Sequence, residues 1–143
     1  MHNLGPEDLG ELLEEPLVAV LATYRKDGSV LLSPVWHQWR DGGFDVVVYQ
    51  GDIKLQHLRR DPRASIVVYE HDPPYRGMEV RGEVRLEQGG VEDAFGAMAA
   101  RYLGPENGRA YAETVTSSTS VLVRLEPTEV RGWDFADDWP AQG

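Results

Sequence analysis

The sequence predicts a mostly β fold with minor α content: a six-stranded antiparallel barrel with short flanking helices. Segments rich in branched and apolar residues follow one another through short turns, as expected for successive hairpins. One of them, residues 78–87, alternates apolar and charged side chains, which is typical of a strand with one buried face. A parallel sheet would need a crossover helix between successive strands, and the chain has too few helical segments for that. We therefore expect a single antiparallel domain over residues 1–143.

The first part of the chain predicts one helix and three strands. The expected elements are a helix at residues 1–15 and strands at residues 17–24, 29–39 and 44–50. Three leucines between Leu9 and Leu13 recur at helical spacing after Pro6, so the helix should be amphipathic and should cover the core. Asp27-Gly28 lies between two apolar runs, which is a strong hairpin signal. This half of the chain should therefore form an antiparallel meander.

The second part alternates helical and strand signals. The expected elements are helices at residues 52–61, 91–103 and 109–115, strands at residues 63–70, 78–87 and 120–127, and a short strand or extended tail at residues 129–135. Pro62 follows the first of these helices and Gly104-Pro105 follows the second, as helix ends require. We expect the acidic tail, residues 134–143, to be mobile beyond Trp139.

Composition excludes several function classes. The formal net charge of −10 opposes a nucleic-acid partner over most of the surface. The chain has no cysteine, so a disulfide, a thiolate metal site and a cysteine nucleophile are all excluded. Its histidines lack zinc-like spacing, and no serine-hydrolase, P-loop or dinucleotide-binding motif occurs. No apolar run is long enough to span a membrane, so we expect a cytoplasmic protein without metal.

The start of the helix at residues 52–61 is a possible anion site. A strand ends at Gly51, Asp52 is the expected N-cap, and Lys54 lies in the first helical turn. A cation there interacts unfavourably with the positive end of the helix dipole, and a bound phosphate would offset both positive charges. The alternative is a solvated surface lysine. For Arg59, Arg60 and Arg63, the favourable dipole at the helix end is a sufficient explanation, with phosphate contact as the alternative.

A second unusual segment is Ser33-Pro34-Val35-Trp36, where a proline interrupts a strand. Proline donates no ladder hydrogen bond, so the backbone there belongs to an edge or a bulge. Unpaired strand backbone can instead meet the polar edge of a planar ring, with Trp36 and Trp39 as apolar walls. Alternatively, both tryptophans are core or interface residues.

Taken together, three segments resemble the pyridoxamine 5′-phosphate oxidase-like superfamily of flavin- and deazaflavin-binding split barrels. They are residues 22–39, residues 44–70 and residues 75–87. The chain is most similar to the branch that uses coenzyme F420. The similarity spans roughly residues 10–133, and its most specific part is the pattern K-x-x-x-L-R-R-D-P-R that begins at Lys54.

This resemblance implies a homodimer with a cofactor site at the seam between the subunits. Lys54 would meet the cofactor phosphate, and the backbone of residues 33–36 would lie along the ring. The implied cofactor-binding residues are Ser33, Pro34, Val35, Trp36, Val48, Tyr49, Gly51, Lys54, Leu58 and Arg59 of one subunit, with Tyr75, Met78 and Trp133 of the partner subunit. Pyridoxamine phosphate oxidases proper carry an arginine at the position of Ser33 and an Arg-Lys pair at the position of Ile53-Lys54. The vitamin B6 reaction itself is therefore not expected.

The leading functional hypothesis is an oxidoreductase that uses reduced F420 to pass hydride to a small unsaturated organic substrate. The alternative within the enzyme class is an FMN-dependent reductase. From another class, a heme or flavin carrier without turnover would use His37 or His57 as the candidate heme ligand. An interaction domain with an empty groove is a further alternative. The proton donor, whether water, Tyr49 or Tyr75, stays open at this point.

Overall fold

The structure is a computed structural model that describes residues 2–138. Its sheet contains eight strands. They are β1 (His2–Leu4), β2 (Ala19–Tyr24), β3 (Val30–Val35), β4 (Gln38–Arg40), β5 (Gly43–Tyr49), β6 (Arg63–Tyr69), β7 (Gly77–Glu87) and β8 (Ser120–Trp133). The helices are α1 (Ile53–Arg60), α2 (Val91–Leu103) and α3 (Pro105–Ala112), with short 3-10 helices at Pro6–Asp8, Leu12–Glu14 and Ala136–Asp138. The predicted mostly β class is confirmed.

The sheet is antiparallel and curls into a half-barrel. Its strand order is β3-β2-β6-β7-β8-β5-β4, with β1 paired to the end of β8. The two strands at opposite ends of this order, β3 and β4, are consecutive in the chain and separated only by Trp36 and His37. Because so short a connection spans only about 10 Å, the sheet must curl until its two edges approach each other. This curl creates an opening beside the end of β3.

The barrel interior holds the main hydrophobic core. On β5, Phe44, Val46 and Val48 are almost fully buried and belong to this core. The intervening residue Val47 faces the other side of the sheet, where α2 packs against it and against Leu122. Because side chains alternate between the two faces of a strand, β5 contributes both to the core and to the surface under α2.

α1 packs on the main core through Leu55 and Leu58, whereas α2 covers the other face of the sheet. α1 begins after Asp52, whose carboxylate accepts a hydrogen bond from the backbone N–H of Lys54, as a helix cap does. α2 and α3 form a tight hairpin. A Cβ atom at Gly108 of α3 would lie 2.6 Å from backbone atoms of Ala99 and Ala100 of α2, so only glycine allows this approach. This contact fixes where α3 lies relative to the sheet.

A bulge in the β7–β8 pair allows β8 to continue through Pro127. The register shifts between Arg81 and Gly82, where Gly82 pairs with Pro127. A Cβ atom at Gly82 would overlap the carbonyl oxygen of Glu126, so the bulge needs glycine here. As a result β8 continues to Trp133, and the separate terminal strand or tail expected at residues 129–135 is wrong.

The N-terminal helix expected at residues 1–15 is also wrong. The segment forms β1 and two 3-10 helices instead. Gly10 lies between those helices with φ +59°, a left-handed conformation that a continuous α-helix cannot contain. Leu9, Leu12 and Leu13 are nevertheless buried in the core, so the expected covering role is confirmed.

Two further boundaries differ from the sequence expectation. The strand expected at residues 29–39 is divided into β3 and β4, because the chain crosses from one sheet edge to the other at Trp36. The third of the helices, expected at residues 109–115, begins at Pro105. The expected mobility beyond Trp139 lies outside the described residues. Within residues 2–138, no helix has the length and apolar character needed to cross a membrane.

Candidate functional site

A cavity of about 230 Å³ opens beside the end of β3. Three parts of the fold meet there: the end of β3, the second half of β5 and the start of α1, with the α2–α3 hairpin opposite. The lining residues are Pro34, Val35, Trp36, Val47, Val48, Tyr49, Asp52, Lys54, Phe95, Met98 and Tyr111. Most of this lining is apolar or aromatic, and the charged groups are confined to the α1 end.

Lys54 lies inside this cavity rather than in open solvent. Its side chain is only 15% exposed, and its Nζ donates to Oδ2 of Asp52 over 2.6 Å. Asp52 thus caps α1 with one carboxylate oxygen and pairs with the ammonium through the other. Burial alone would raise the pKa of Asp52, but the hydrogen bonds from the Lys54 side chain and backbone lower it below its usual value. The acid is therefore charged at neutral pH, and it offsets the positive charge beside it.

The opposite wall consists of aromatic rings. Trp36 stacks on Tyr102 at a centroid distance of 4.8 Å and an interplanar angle of 5°, and on Phe95 at 5.8 Å. Tyr111 of α3 contacts both Trp36 and Phe95 in tilted arrangements. The Tyr102 hydroxyl donates to the carbonyl oxygen of Leu17 and accepts from the backbone N–H of His37. Trp36 is thus held by the hairpin at the point where β3 leaves the sheet.

Residues 6–134, which are most of the chain, match the family described as pyridoxamine 5′-phosphate oxidase.

The chain belongs to this family.

Solved structures extend the comparison. A conserved hypothetical protein from Mycobacterium tuberculosis is 22% identical, with a TM-score of 0.83, over 98% of this chain and 91% of that one. An F420 reductase is 26% identical, with a TM-score of 0.71, over 88% of this chain and 98% of that one. The heme storage protein HutZ from Vibrio cholerae is 16% identical, with a TM-score of 0.69, over 90% of this chain and 94% of that one. No curated protein sequence matches the chain.

These likenesses establish the pyridoxamine 5′-phosphate oxidase fold, on which flavin-binding proteins and oxidoreductases are built. The first and third structures share the fold with this chain, but their sequence identities are too low to support a shared function. The sequence resemblance to this family is confirmed.

The structure brings six of the predicted cofactor-binding residues together. The predicted residues that line the cavity are Pro34, Val35, Trp36, Val48, Tyr49 and Lys54. Gly51 lies between two lining residues, and a Cβ atom there would contact the ring of Tyr49 at 2.7 Å. Ser33 does not line the cavity: it is buried and pairs with Leu21 on β2.

Two of the predicted cofactor-binding residues lie in the hydrophobic core. Leu58 is 2% exposed and Met78 is fully buried, and both belong to the barrel core of their own chain. Neither side chain lines the cavity, and a contact of either residue with a cofactor stays a prediction. The reason lies in the packing. α1 turns Leu58 toward the sheet, and Met78 occupies an inward position of β7.

Arg59, Arg60 and Arg63, for which phosphate contact was the alternative, do not line the cavity. Arg59 is exposed, and no partner for its guanidinium lies among residues 2–138. Arg60 donates to the carbonyl oxygen of Tyr24, and Arg63 pairs with Asp61 at 2.8 Å. Arg60 and Arg63 thus have protein partners outside the cavity.

Tyr75 and Trp133, which were expected to reach the site from a partner subunit, lie together elsewhere on the chain. Trp133 pairs with Gly77 across the start of β7, and its ring fills the space beside that glycine. Tyr75 lies in the preceding loop, is 40% exposed and has φ +59°. Neither residue lines the cavity of its own chain. Their contact with a partner's cofactor stays a prediction.

The two candidate heme ligands do not line the cavity either. His57 is buried, and its Nδ1 shares a hydrogen bond of 3.0 Å with the Thr23 hydroxyl. His37 is fully buried, and neither ring nitrogen has a partner within the described part of the chain. Burial, with the nearby charge of Arg101, lowers the pKa of His37 to about 4. Both imidazoles are structural residues of the interior.

Sequence reasoning missed the wall opposite Lys54. Phe95 and Met98 lie in the helix predicted at residues 91–103, but a predicted helix does not reveal what it covers. Tyr111 lay in a weakly predicted helix and carried no signal of its own. Asp52 was identified as a cap and not as the partner of Lys54. No local pattern could have joined α3 to β3, because their contact depends on the curl of the sheet.

Proposed function

We propose that this protein is an oxidoreductase that binds the deazaflavin coenzyme F420 in this cavity. One observation carries the proposal: the largely buried Lys54, at the N-terminus of α1, shares a single cavity with the backbone of Pro34–Trp36 and the strand wall of Val47–Tyr49. A helix N-terminus with a cation suits a phosphate, and the apolar strand wall suits a flat ring.

The charge of the site favours F420 over FMN. Lys54 is the only cation among the cavity-lining residues, and Asp52 offsets part of its charge. FMN ends in a phosphate monoester that carries close to two negative charges, whereas the phosphodiester of F420 carries one. A single, partly neutralised cation is a better match for the singly charged phosphodiester group, and the acidic glutamyl tail of F420 would extend outside the cavity, whose lining holds no further cation. The similarity to a solved F420 reductase supports the same choice. FMN remains the alternative cofactor.

In this proposal the chain supplies position and a dry environment. Bound reduced F420 supplies hydride to a small unsaturated organic substrate. Lys54 holds the phosphate, and the backbone after Pro34 orients the ring edge. Val47 and Met98 exclude water from the cavity, which strengthens the electrostatic contacts inside it. Of the two phenols considered as proton donors, Tyr49 is the one that lines the cavity.

We also propose that the functional unit is a homodimer. The outer face of β2, β3 and β6 exposes apolar side chains beside the cavity mouth, with Val30 at 42%, Leu32 at 65% and Tyr69 at 36% exposure. A contiguous apolar face of this kind typically marks an interface. The cavity of one chain is also smaller than the roughly 300–1,000 Å³ of a usual small-molecule site. We propose that a second copy on this face enlarges and closes the cavity, with Tyr75 and Trp133 of the partner subunit as the residues expected to contribute.

The cofactor assignment is tested by titrating the purified protein with F420 and with FMN, following tryptophan quenching. We expect F420 to bind and Lys54→Ala to lose at least tenfold in affinity, about 1.4 kcal/mol, since a charged hydrogen bond to phosphate is commonly worth that much. Lys26→Ala is the matched control, because Lys26 is the other lysine of the chain and lies exposed in the β2–β3 turn. Binding of FMN without F420 would overturn the choice of cofactor. Equal affinity of Lys54→Ala and wild type would overturn the phosphate site.

A further inference from the structure

Tyr111 is the part of the cavity wall that the sequence did not reveal. Its side chain is 50% exposed, although its ring contacts Trp36 at 5.8 Å and Phe95 at 5.7 Å between centroids. Within residues 2–138, its hydroxyl has no hydrogen-bond partner. The ring is thus positioned by two other rings, while half of its surface remains available beside the cavity. Such a surface suits a flat aromatic ligand.

The position of Tyr111 depends on backbone packing. α3 lies directly on α2 at Gly108, where any side chain would meet the backbone of Ala99 at 2.6 Å. Gly104, with φ +89°, makes the sharp connection between the two helices. Because α2 is itself anchored on β5 and β8, the hairpin holds Tyr111 at a fixed distance from the strand wall. The width of the cavity is therefore set by the hairpin.

We propose that Tyr111 is a specificity-determining residue, which restricts the cavity to one flat and largely apolar fused-ring system. This inference rests on the proposed function, since it concerns the ring of the same ligand. The charges of the cavity lie at the α1 end, on Asp52 and Lys54, so the hairpin end offers a ring only apolar and aromatic contacts. Lys54 would select the phosphate, and Tyr111 would select the ring.

The test separates ring recognition from phosphate recognition. F420 and riboflavin are titrated against wild type, Tyr111→Ala and Tyr111→Phe; riboflavin carries a flavin ring without phosphate. We expect Tyr111→Ala to weaken both ligands by roughly tenfold, because stacking on an aromatic ring is commonly worth that much. Tyr111→Phe should stay within about twofold of wild type, since it keeps the ring. Lys54→Ala should weaken F420 and leave riboflavin unchanged.

Two further variants control for folding. Leu103→Ala is the matched control on the same hairpin, because Leu103 is 40% exposed and does not line the cavity. Gly108→Ala should displace α3 and weaken riboflavin binding as Tyr111→Ala does. The thermal midpoint of each variant is measured beside the titrations, so that a loss of binding in a folded protein can be told from unfolding.

The outcomes of this test distinguish the two proposals. If Lys54→Ala weakens F420 while Tyr111→Ala binds both ligands like wild type, the role of Tyr111 is overturned and the proposed function stands. If Tyr111→Phe loses as much affinity as Tyr111→Ala, the hydroxyl and not the ring is responsible, and the inference is overturned. If wild type binds riboflavin with the expected Tyr111 dependence but binds neither F420 nor FMN, the proposed function is overturned and the role of Tyr111 stands. If no ring ligand binds, both fail.

Discussion

Replacing Asp52 by asparagine should tighten the binding of a phosphate-bearing cofactor. The Asp52 carboxylate lies 2.6 Å from the Lys54 ammonium, and it competes with any phosphate that approaches the same cation. An asparagine removes the negative charge but keeps a side-chain oxygen that can cap α1, since asparagine and aspartate are equally good caps. The lost ion pair costs at most about 1 kcal/mol of stability, because both side chains are partly exposed.

The size of the effect follows from the distance. A phosphate in contact with Lys54 would lie about 5 Å from the Asp52 carboxylate, where two unit charges repel by about 0.8 to 1.7 kcal/mol at an effective dielectric constant between roughly 40 and 80. Removing that repulsion should improve the affinity for F420 about fourfold to sixteenfold. The gain should shrink at high ionic strength, because salt screens partly exposed charges.

The assay is the same cofactor titration, at about 0.05 M and about 0.5 M salt. Asp27→Asn is the matched control, since Asp27 also accepts a backbone hydrogen bond, from Ser29 at 2.9 Å, but lies in the β2–β3 turn away from the cavity. Riboflavin, which lacks the phosphate, should bind Asp52→Asn and wild type equally. A weaker affinity of Asp52→Asn for F420, or an equal gain for riboflavin, would refute the argument that the carboxylate and the phosphate share one cation.

Three further predictions concern the assembly and the stability of the fold. Leu32→Glu, in the exposed face of β3, should convert a dimer into monomers in light scattering; a wild type that is already monomeric contradicts the proposed interface. Gly82→Ala should lower the free energy of unfolding in urea by about 1–3 kcal/mol through backbone overlap. Gly89→Ala, where no atom lies within 4 Å of the added methyl group, should not lower it, and equal effects of the two substitutions would contradict the bulge geometry. The pKa of buried His37 is lowered to about 4, so the folded state binds fewer protons than the unfolded state between that pH and about 6.5. Wild type should therefore lose up to about 3 kcal/mol of its free energy of unfolding as the pH falls through that window. His37→Leu cannot take up this proton, so its free energy of unfolding should fall less over the same pH range, and an unchanged pH profile would contradict this.

Local patterns in the sequence predicted most elements of the fold, although the sheet has eight strands rather than the expected six. The alternation of residues 78–87, the Asp27-Gly28 turn and the cap at Asp52 each predicted a feature that the structure contains. These signals work because strand pleat, hairpin turns and helix caps are decided by residues that are neighbours in the chain. The N-terminal helix failed because three leucines at helical spacing can also be buried by two short turns around Gly10.

The sequence predicted the side of the candidate site that β3, β5 and α1 form, but not the side that the α2–α3 hairpin forms. The pattern from Lys54 and the interruption at Pro34 located the strand and helix residues, since both are departures from regular local structure. The same reasoning assigned Leu58 and Met78 to the cofactor, whereas both are core residues. Whether an apolar side chain faces a core or a ligand depends on which elements cover it, and a single sequence does not contain that information.

The sequence by itself determined that the chain is a mostly β domain with an anion-favouring helix start, and it carried the resemblance to the pyridoxamine 5′-phosphate oxidase family. Only the tertiary structure decided that the α2–α3 hairpin closes the cavity opposite Lys54, and that Asp52 shares the charge of that lysine. The physical reason is the curl of the sheet. It brings β3, β5 and a hairpin some sixty residues later in the chain to one opening, and such long-range contacts leave no periodic trace along the sequence.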